Sequence, residues 1–386
     1  MAGAQDGPGK QPVWRIAGRA LLAGVLGTVL ASWLGSCESS SPPPPPDVPQ
    51  GAHLLPGLRM RALAGTASNL WSVGETGGGA PVAEHRTDAG WLDESGRLPT
   101  LPGLRLFGVA ADGNTVWAAG QGAVAGTSAT VPVVVGRDPA GTWRQAGLPA
   151  GEGYLTAVAA AGSEVWAVGE QSGRALIIHG SGGTWTSAVL ASYDTQFQSV
   201  QLSAVSIAAP GEVWAVGSAS DGTGEVRPLV AHGTAGRWQP TVIKSLAPAW
   251  GELTTVFALS PLDVWVGGRD EGTPDTVHIW PLLGHWTGRA WRWDTSVDHD
   301  SWTLTALVGG TSAGLWALGG SGQCSDPNGS CNLVLIRRVG ANWVDEGTLG
   351  PGIPVAAVAG PPGGRPVILG RAVTSAEAPP VSFVVS

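Results

Sequence analysis

A five-residue segment recurs down this chain and constrains its fold more than any other feature. It reads LWSVG ending at Gly74, VWAAG at Gly120, VWAVG at Gly169 and Gly217, VWVGG at Gly268, and LWALG at Gly319. The tryptophans stand at 71, 117, 166, 214, 265 and 316, at spacings of 46, 49, 48, 51 and 51. After one more such interval, Val367 sits in Pro366-Val367-Ile368-Leu369-Gly370, a seventh copy that has lost its Trp. An apolar segment such as Leu155-Thr156-Ala157-Val158 precedes each core. Its start is set back from the Trp by a nearly constant interval, Leu155 from Trp166 and Leu202 from Trp214. A third segment such as Leu176-Ile177-Ile178-His179 follows, and a short Gly turn leads to a second Trp at 91, 143, 185, 238, 291 and 343.

Each unit therefore holds four short strands within one Trp-to-Trp interval, the size of a β-propeller blade. The core segment is apolar at every position, as expected of a strand covered on both faces by neighbouring blades. Seven copies predict an all-β fold, a seven-bladed β-propeller of four-stranded antiparallel blades over residues 51–386. The last blade reaches Ser386 with three strands only. Residues around Gly51 to Leu55 resemble the segment after the second Trp elsewhere and are expected to supply the missing strand, which removes two sheet edges at once. Composition fits this reading. With 43% hydrophobic residues and 19 Trp the chain is no disordered polymer, despite 60 Gly and 30 Pro. Charged residues are only 13%, and no Ala/Leu/Glu/Lys-rich stretch suggests long helices.

The pattern resembles the Trp-Ala-Val-Gly repeats of secreted bacterial propellers and, more loosely, the Kelch, Asp-box and photosystem II assembly-factor-like groups. The resemblance spans residues 51–386 and implies a fold but no reaction. The Asp-box (Ser-x-Asp-x-Gly-x-Thr-Trp) is only approached, in Asp138-Pro139-Ala140-Gly141-Thr142-Trp143 and in Thr87-Asp88-Ala89-Gly90-Trp91.

The first 36 residues read as an export signal. Lys10, Arg15 and Arg19 precede an uncharged, mostly apolar run from Ala20 to Trp33, too short to span a bilayer. It ends in Leu34-Gly35-Ser36-Cys37, which resembles the lipobox of bacterial lipoproteins. That resemblance implies a lipidated Cys37 as the first mature residue, anchored through its acyl chains. Residues 37–50, with five consecutive prolines from Pro42 to Pro46, read as a tether that cannot pack. Glu38 after the Cys points, by analogy, to the outer membrane of the cell envelope. Removing the signal takes away three basic residues and Asp6, leaving 18 basic against 28 acidic residues. So acidic a chain has no footprint for nucleic acid. Cys324 and Cys331 remain, flanking a turn-forming hexapeptide. A disulfide in an oxidising compartment is the favoured reading, a metal site without a nearby His the other.

Most Trp residues are repeat marks and are assigned to packing between blades. His85, His179, His232 and His285 lie six residues before the second Trp, with Arg137 and Arg337 in the same register. One per blade is too dispersed to share a metal ion, so a turn-stabilising hydrogen bond is expected. The constant register also implies a constant turn between third and fourth strands. Length variation then falls between second and third strands, on the face that carries the connections between blades, which marks the binding face.

Residues outside the repeat register are the candidates for function. Trp250 and Trp302 lie two or three residues before the innermost strands expected from Leu253 and Leu304, and Tyr154 similarly before Leu155, near the channel mouth. Asp221, Glu225, Asp270, Glu271 and Asp275 gather on the same predicted face, with Asp294, Asp298 and Asp300 around His299. These suggest aromatic platforms for a sugar or peptide, and a calcium ion held by Asp294, Asp298 and Asp300; otherwise they are solvated loops of an acidic protein. Gly310-Thr311-Ser312-Ala313-Gly314 matches Gly-x-Ser-x-Gly but falls in a turn between strands, the wrong context for a nucleophile elbow. The reading that follows is a monomeric envelope lipoprotein whose propeller binds a protein or glycan without catalysis and with no cofactor beyond that calcium. The alternative is a carbohydrate-active hydrolase or lyase using the acids of blades four to six.

Overall fold

The computed structural model describes residues 46–386, apart from 191–196, 223, 235, 244–249, 273–278, 295, 298–300, 311–313, 323, 325–329, 362 and 375–377. Cys37 and its lipobox therefore lie outside the described residues. The rest forms seven antiparallel blades: residues 58–93, 105–145, 154–190, 199–242, 250–293, 302–351, and 353–385 completed by His53–Pro56. A single parallel bridge, Val226 to Trp250, joins blades 4 and 5 along one edge. The 3₁₀ turn Ser95–Arg97 is the one helical element among the described residues.

The chain runs outward through each blade, so the first strand lines the channel and the recurring Trp segment comes second. All seven first strands carry a β-bulge at the same place, between Met60 and Ala62 in blade 1 and between Pro354 and Ala356 in blade 7. The bulge presses the first strand's backbone against the Gly that ends the second-strand core. A Cβ on Gly74, Gly120, Gly169, Gly217 or Gly268 would overlap the carbonyl oxygen of the residue just before the one opposite, Arg59 in the case of Gly74. That close approach explains the recurring Gly.

Seven apolar clusters, one per interface, make up the core. The two Trp registers meet there. The core Trp of each of the first five blades packs edge-to-face on the second Trp of the next: Trp71 on Trp143, Trp117 on Trp185, Trp166 on Trp238, Trp214 on Trp291 and Trp265 on Trp343. Ring centroids are 5.4–6.0 Å apart. Such pairs contribute about 0.5–1.5 kcal/mol each beyond the area they bury. In the seventh blade Val367 replaces the core Trp and joins the cluster that holds Trp91.

The ring closes as the sequence suggests. His53–Pro56 pairs antiparallel with Val381–Val385, Leu54 opposite Phe383. Buried Ser382 reinforces the closure: its hydroxyl donates to the Leu58 carbonyl at 3.0 Å and accepts the Met60 amide at 2.9 Å. The connector face is also laced together. Gly77, Ala123, Gly322 and Gly352 each donate a backbone hydrogen bond between a blade connection and a loop joining second to third strands.

Two register expectations need correction. The turn between third and fourth strands is not constant: four blades close on two residues, whereas in blade 2 Arg137 pairs directly with Trp143 around residues 138–142. There Asp138 accepts the Thr142 amide at 2.9 Å, so the Asp-box-like segment does form a carboxylate-capped turn. Consequently Arg137 stands one residue out of the histidine register, opposite Val116 rather than Trp117.

Candidate functional site

The bulge and the Gly together fix one cross-strand pair per blade at the connector-face end of the channel. The first member precedes the buried residue ahead of the bulge; the second follows the core Gly. The pairs are Arg59 and Glu75, Arg105 and Gln121, Tyr154 and Glu170, Gln201 and Ser218, Glu252 and Arg269, Thr303 and Gly320, and Ile353 and Arg371. The flanking positions repeat and these do not. A ring of fixed geometry and free chemistry is what a binding face requires.

Charge is distributed unevenly around this ring. Glu75 is buried and accepts from Arg61 at 2.6 Å and from Arg105 at 2.8 and 3.0 Å. Burial pushes its carboxyl up, but the hydrogen bonds and charges of the two guanidinium groups outweigh it and hold the pKa below the ordinary carboxylate value. Both arginines lie over the Phe107 ring, 5.3 and 5.7 Å from its centroid. Across the closing interface Arg371 has its pKa lowered by burial, then by the like charges of Arg59 and Arg61. Four guanidinium groups thus gather on blades 7, 1 and 2, and Glu75 takes two of them, Arg61 and Arg105. Holding like charges together is costly, and an anion would relieve that cost.

Blade 5 shows the inverse pattern. Arg269 on the second strand bridges Glu252 at 3.1 Å and Glu271 at 2.9 Å. In blade 3, burial raises the Tyr154 hydroxyl's pKa, reinforced by the charge of Glu170 and the hydrogen bond between them.

The residues singled out from the sequence are not brought together as one patch. Tyr154 and Glu271 stand in or beside the ring. Asp270 is buried. Trp302 requires a correction. It is fully buried in the cluster between blades 5 and 6 with Leu283, Val297 and Leu304, and cannot serve as an open platform. Trp250 opens the first strand of blade 5 opposite Gly272. Asp221 and Glu225 brace their own loop, where Asp221 accepts the Glu225 amide and Glu225 pairs with Arg227. Asp294 accepts the Ser296 amide and hydroxyl at 2.9 and 2.6 Å. Asp275, Asp298, His299 and Asp300 lie outside the described residues. No group of three His, Cys, Asp or Glu side chains placed to hold a metal occurs among the described residues. Cys324 and Cys331 form the expected disulfide.

The register histidines stack flat on the core Trp of their own blade, His85 on Trp71, His179 on Trp166, His232 on Trp214 and His285 on Trp265, with centroids 3.8–4.0 Å apart. Three also hydrogen-bond at 2.8 Å to the residue two before that Trp: Asn69, Glu212 and Asp263. They are structural. The arginine cluster was missed in the sequence, although aligning the repeats on the position before the first-strand Leu and after the core Gly exposes it.

The fold defines a seven-bladed β-propeller with a chemically varied channel mouth. No protein-family model matches the chain, and no curated protein matches it. Solved structures share the fold at low identity. One is YCF48 bound to D1 peptide, with TM-score 0.53 and 14% identity, covering 86% of this chain and 96% of that one. The β-propeller domain of the Trilobed protease from Pyrococcus furiosus, described as having an open velcro topology, gives 0.50 and 6%, covering 85% and 95%. A GH74 xyloglucanase from Xanthomonas campestris gives 0.53 and 13%, covering 86% of this chain and 55% of that one.

Proposed function

We propose that this protein is a binding scaffold of a bacterial cell envelope. Cys37 carries the lipid, the proline tether lifts the propeller off the membrane, most simply the outer one, and the connector face holds an acidic segment of a protein partner. The observation that carries the reading is the gathering of Arg59, Arg61, Arg105 and Arg371, of which Glu75 pairs with Arg61 and Arg105 only. A propeller complex with a peptide among its structural neighbours is consistent with such use. The hydrolase alternative draws less support, since Glu252 and Glu271 are both paired to Arg269.

Two measurements test this. Mass spectrometry of the membrane-extracted protein should find a diacylglyceryl group on residue 37, lost in Cys37→Ala together with membrane retention. Calorimetry against acidic peptides and their amide counterparts should show binding of the acidic set only, weakened at least about tenfold by Arg59→Glu or Arg371→Glu. Equal binding of both sets, or no effect of either reversal, would refute the assigned face.

A further inference from the structure

The opposite face carries a second arginine with a different problem. Arg338, on the third strand of blade 6, lays its guanidinium over the Trp265 ring of blade 5, 4.3 Å from the centroid. His285 covers the other side of that ring at 3.9 Å. The same sandwich recurs between blades 1 and 2, where Trp71 is held between His85 and Arg137. The repeat thus supplies an internal control.

In blades 1 and 2 the guanidinium is neutralised. Glu94 is buried, pairs with Arg137 at 3.5 Å and takes Arg97 at 3.0 Å. Glu94 donates its backbone amide to Ala83, two residues before His85. Asp294 donates likewise to Leu283, two residues before His285, so the two acids are equivalent. Asp294 is one methylene shorter, however, and its carboxylate caps Ser296 instead. Arg338 accordingly has no carboxylate in ion-pair range among the described residues; its Nε, like that of Arg137, is shut from solvent without a hydrogen-bond partner, so the missing ion pair is the difference.

That guanidinium lines a cavity of about 470 Å³ between blades 5 and 6, walled by Leu259, Asp263 and Leu315. Asp263 is occupied by the Trp265 indole at 3.0 Å and by His285 at 2.8 Å. A second cavity of about 430 Å³ continues from Gly314 towards Arg337 and Arg365, which share the single carboxylate of Glu346. The wall of the first cavity is partly aliphatic and open: Leu259, beside Asp263 and Arg338, is 37% exposed.

We propose that this groove binds a peptide segment in which an Asp or Glu side chain stands beside an aliphatic residue, the carboxylate docking on Arg338 and the aliphatic group on Leu259. A stacked, immobilised guanidinium loses little freedom when it forms a two-pronged bond to a carboxylate. The site differs from the channel mouth in face, blades and residues.

The experiment uses the mature protein and two N-acetylated, C-amidated peptides, Leu-Asp-Glu-Leu and Leu-Asn-Gln-Leu, titrated by NMR and calorimetry. Followed by the NMR shift of the Trp265 indole, which reports this groove and not the channel mouth, the acidic peptide should bind at least about tenfold more tightly than the amide version. Arg338→Gln should abolish the difference. Asp294→Glu, which restores the internal counter-ion of blade 1, should weaken binding while raising the melting temperature. Equal binding of the two peptides, acidic binding that survives both Arg338→Gln and Asp294→Glu, or Arg338-dependent binding of oligoglucuronate in place of peptide would each overturn the assignment.

Discussion

His179 shows what a repeated position does when one partner is missing. Its ring stacks on Trp166 like the other register histidines, but Glu164 turns to the Trp166 indole at 3.4 Å and the Gly211 amide at 3.1 Å. The buried Nε2 is left without a hydrogen-bond partner. Burial lowers the His179 pKa, and the charge of Glu164 only partly opposes this. The sign follows: below the ordinary histidine value of 6.5 the unfolded chain takes up a proton that the fold resists, so this residue costs stability as the solution is acidified. Phenylalanine keeps the stack and removes the titration. His179→Phe should lose less melting temperature than the wild type between pH 7.5 and 5. Parallel losses in thermal melts at the two pH values would contradict it. Trp302 poses the opposite problem, a residue outside the repeat register that is packed rather than free. Trp302→Ala should destabilise by about 3–5 kcal/mol in denaturant titration, the cost of emptying a large aromatic site, without weakening acidic-peptide binding at the channel mouth. A stable variant that no longer bound would restore it as a platform.

At the scale of strands, the blade was legible because two periodicities coincide. Six Trp-Gly cores at fixed spacing mark second strands, and second Trp residues mark fourth strands. The recurring Gly is the clearest case: its cause is a bulge on a different strand, yet it leaves a mark in sequence because no side chain fits there. Gly169→Ala should cost at least about 1–3 kcal/mol of overpacking, measurable as a lower denaturation midpoint; an unchanged midpoint would show that the first strand can retreat. The site was legible only in part. Tyr154 and Glu271 stand out as irregularities, but Arg59, Arg61, Arg105 and Arg371 are scattered from the first blade to the last and converge only when the ring closes. Arg59, Arg105 and Arg371 share the ring register, but that register repeats no residue type, so only an alignment of the blades lines them up. Trp302 misleads for a related reason: it lies outside the two Trp registers, yet it takes the core position that Leu104 and Val200 hold in other interfaces.

At the scale of the whole molecule, the closing strand decides whether the ring behaves as one cooperative unit. His53–Pro56 supplies the fourth strand of blade 7, so strands from opposite ends of the propeller sequence complete a single four-stranded sheet. Leu55 is buried in the cluster that joins blades 7 and 1, alongside Met60, Val367 and Val384. Burying such a side chain contributes about 1.5–3 kcal/mol. Its loss would fall on the interface that positions Arg371 against Arg59 and Arg61. Truncation through Pro56 therefore does two things: it bares the outer edge of Val381–Val385, and it loosens the arginine cluster. A bared edge invites pairing with another chain. The truncated protein should melt at lower temperature, associate with rising concentration in light scattering, and bind acidic peptides more weakly at the channel mouth. A synthetic peptide of residues 51–58 should restore all three by pairing with Val381–Val385, because backbone register is all that His53–Pro56 must supply. A truncated protein that stayed monomeric and melted as the full chain does would mean that the seven interfaces hold the ring without this closure.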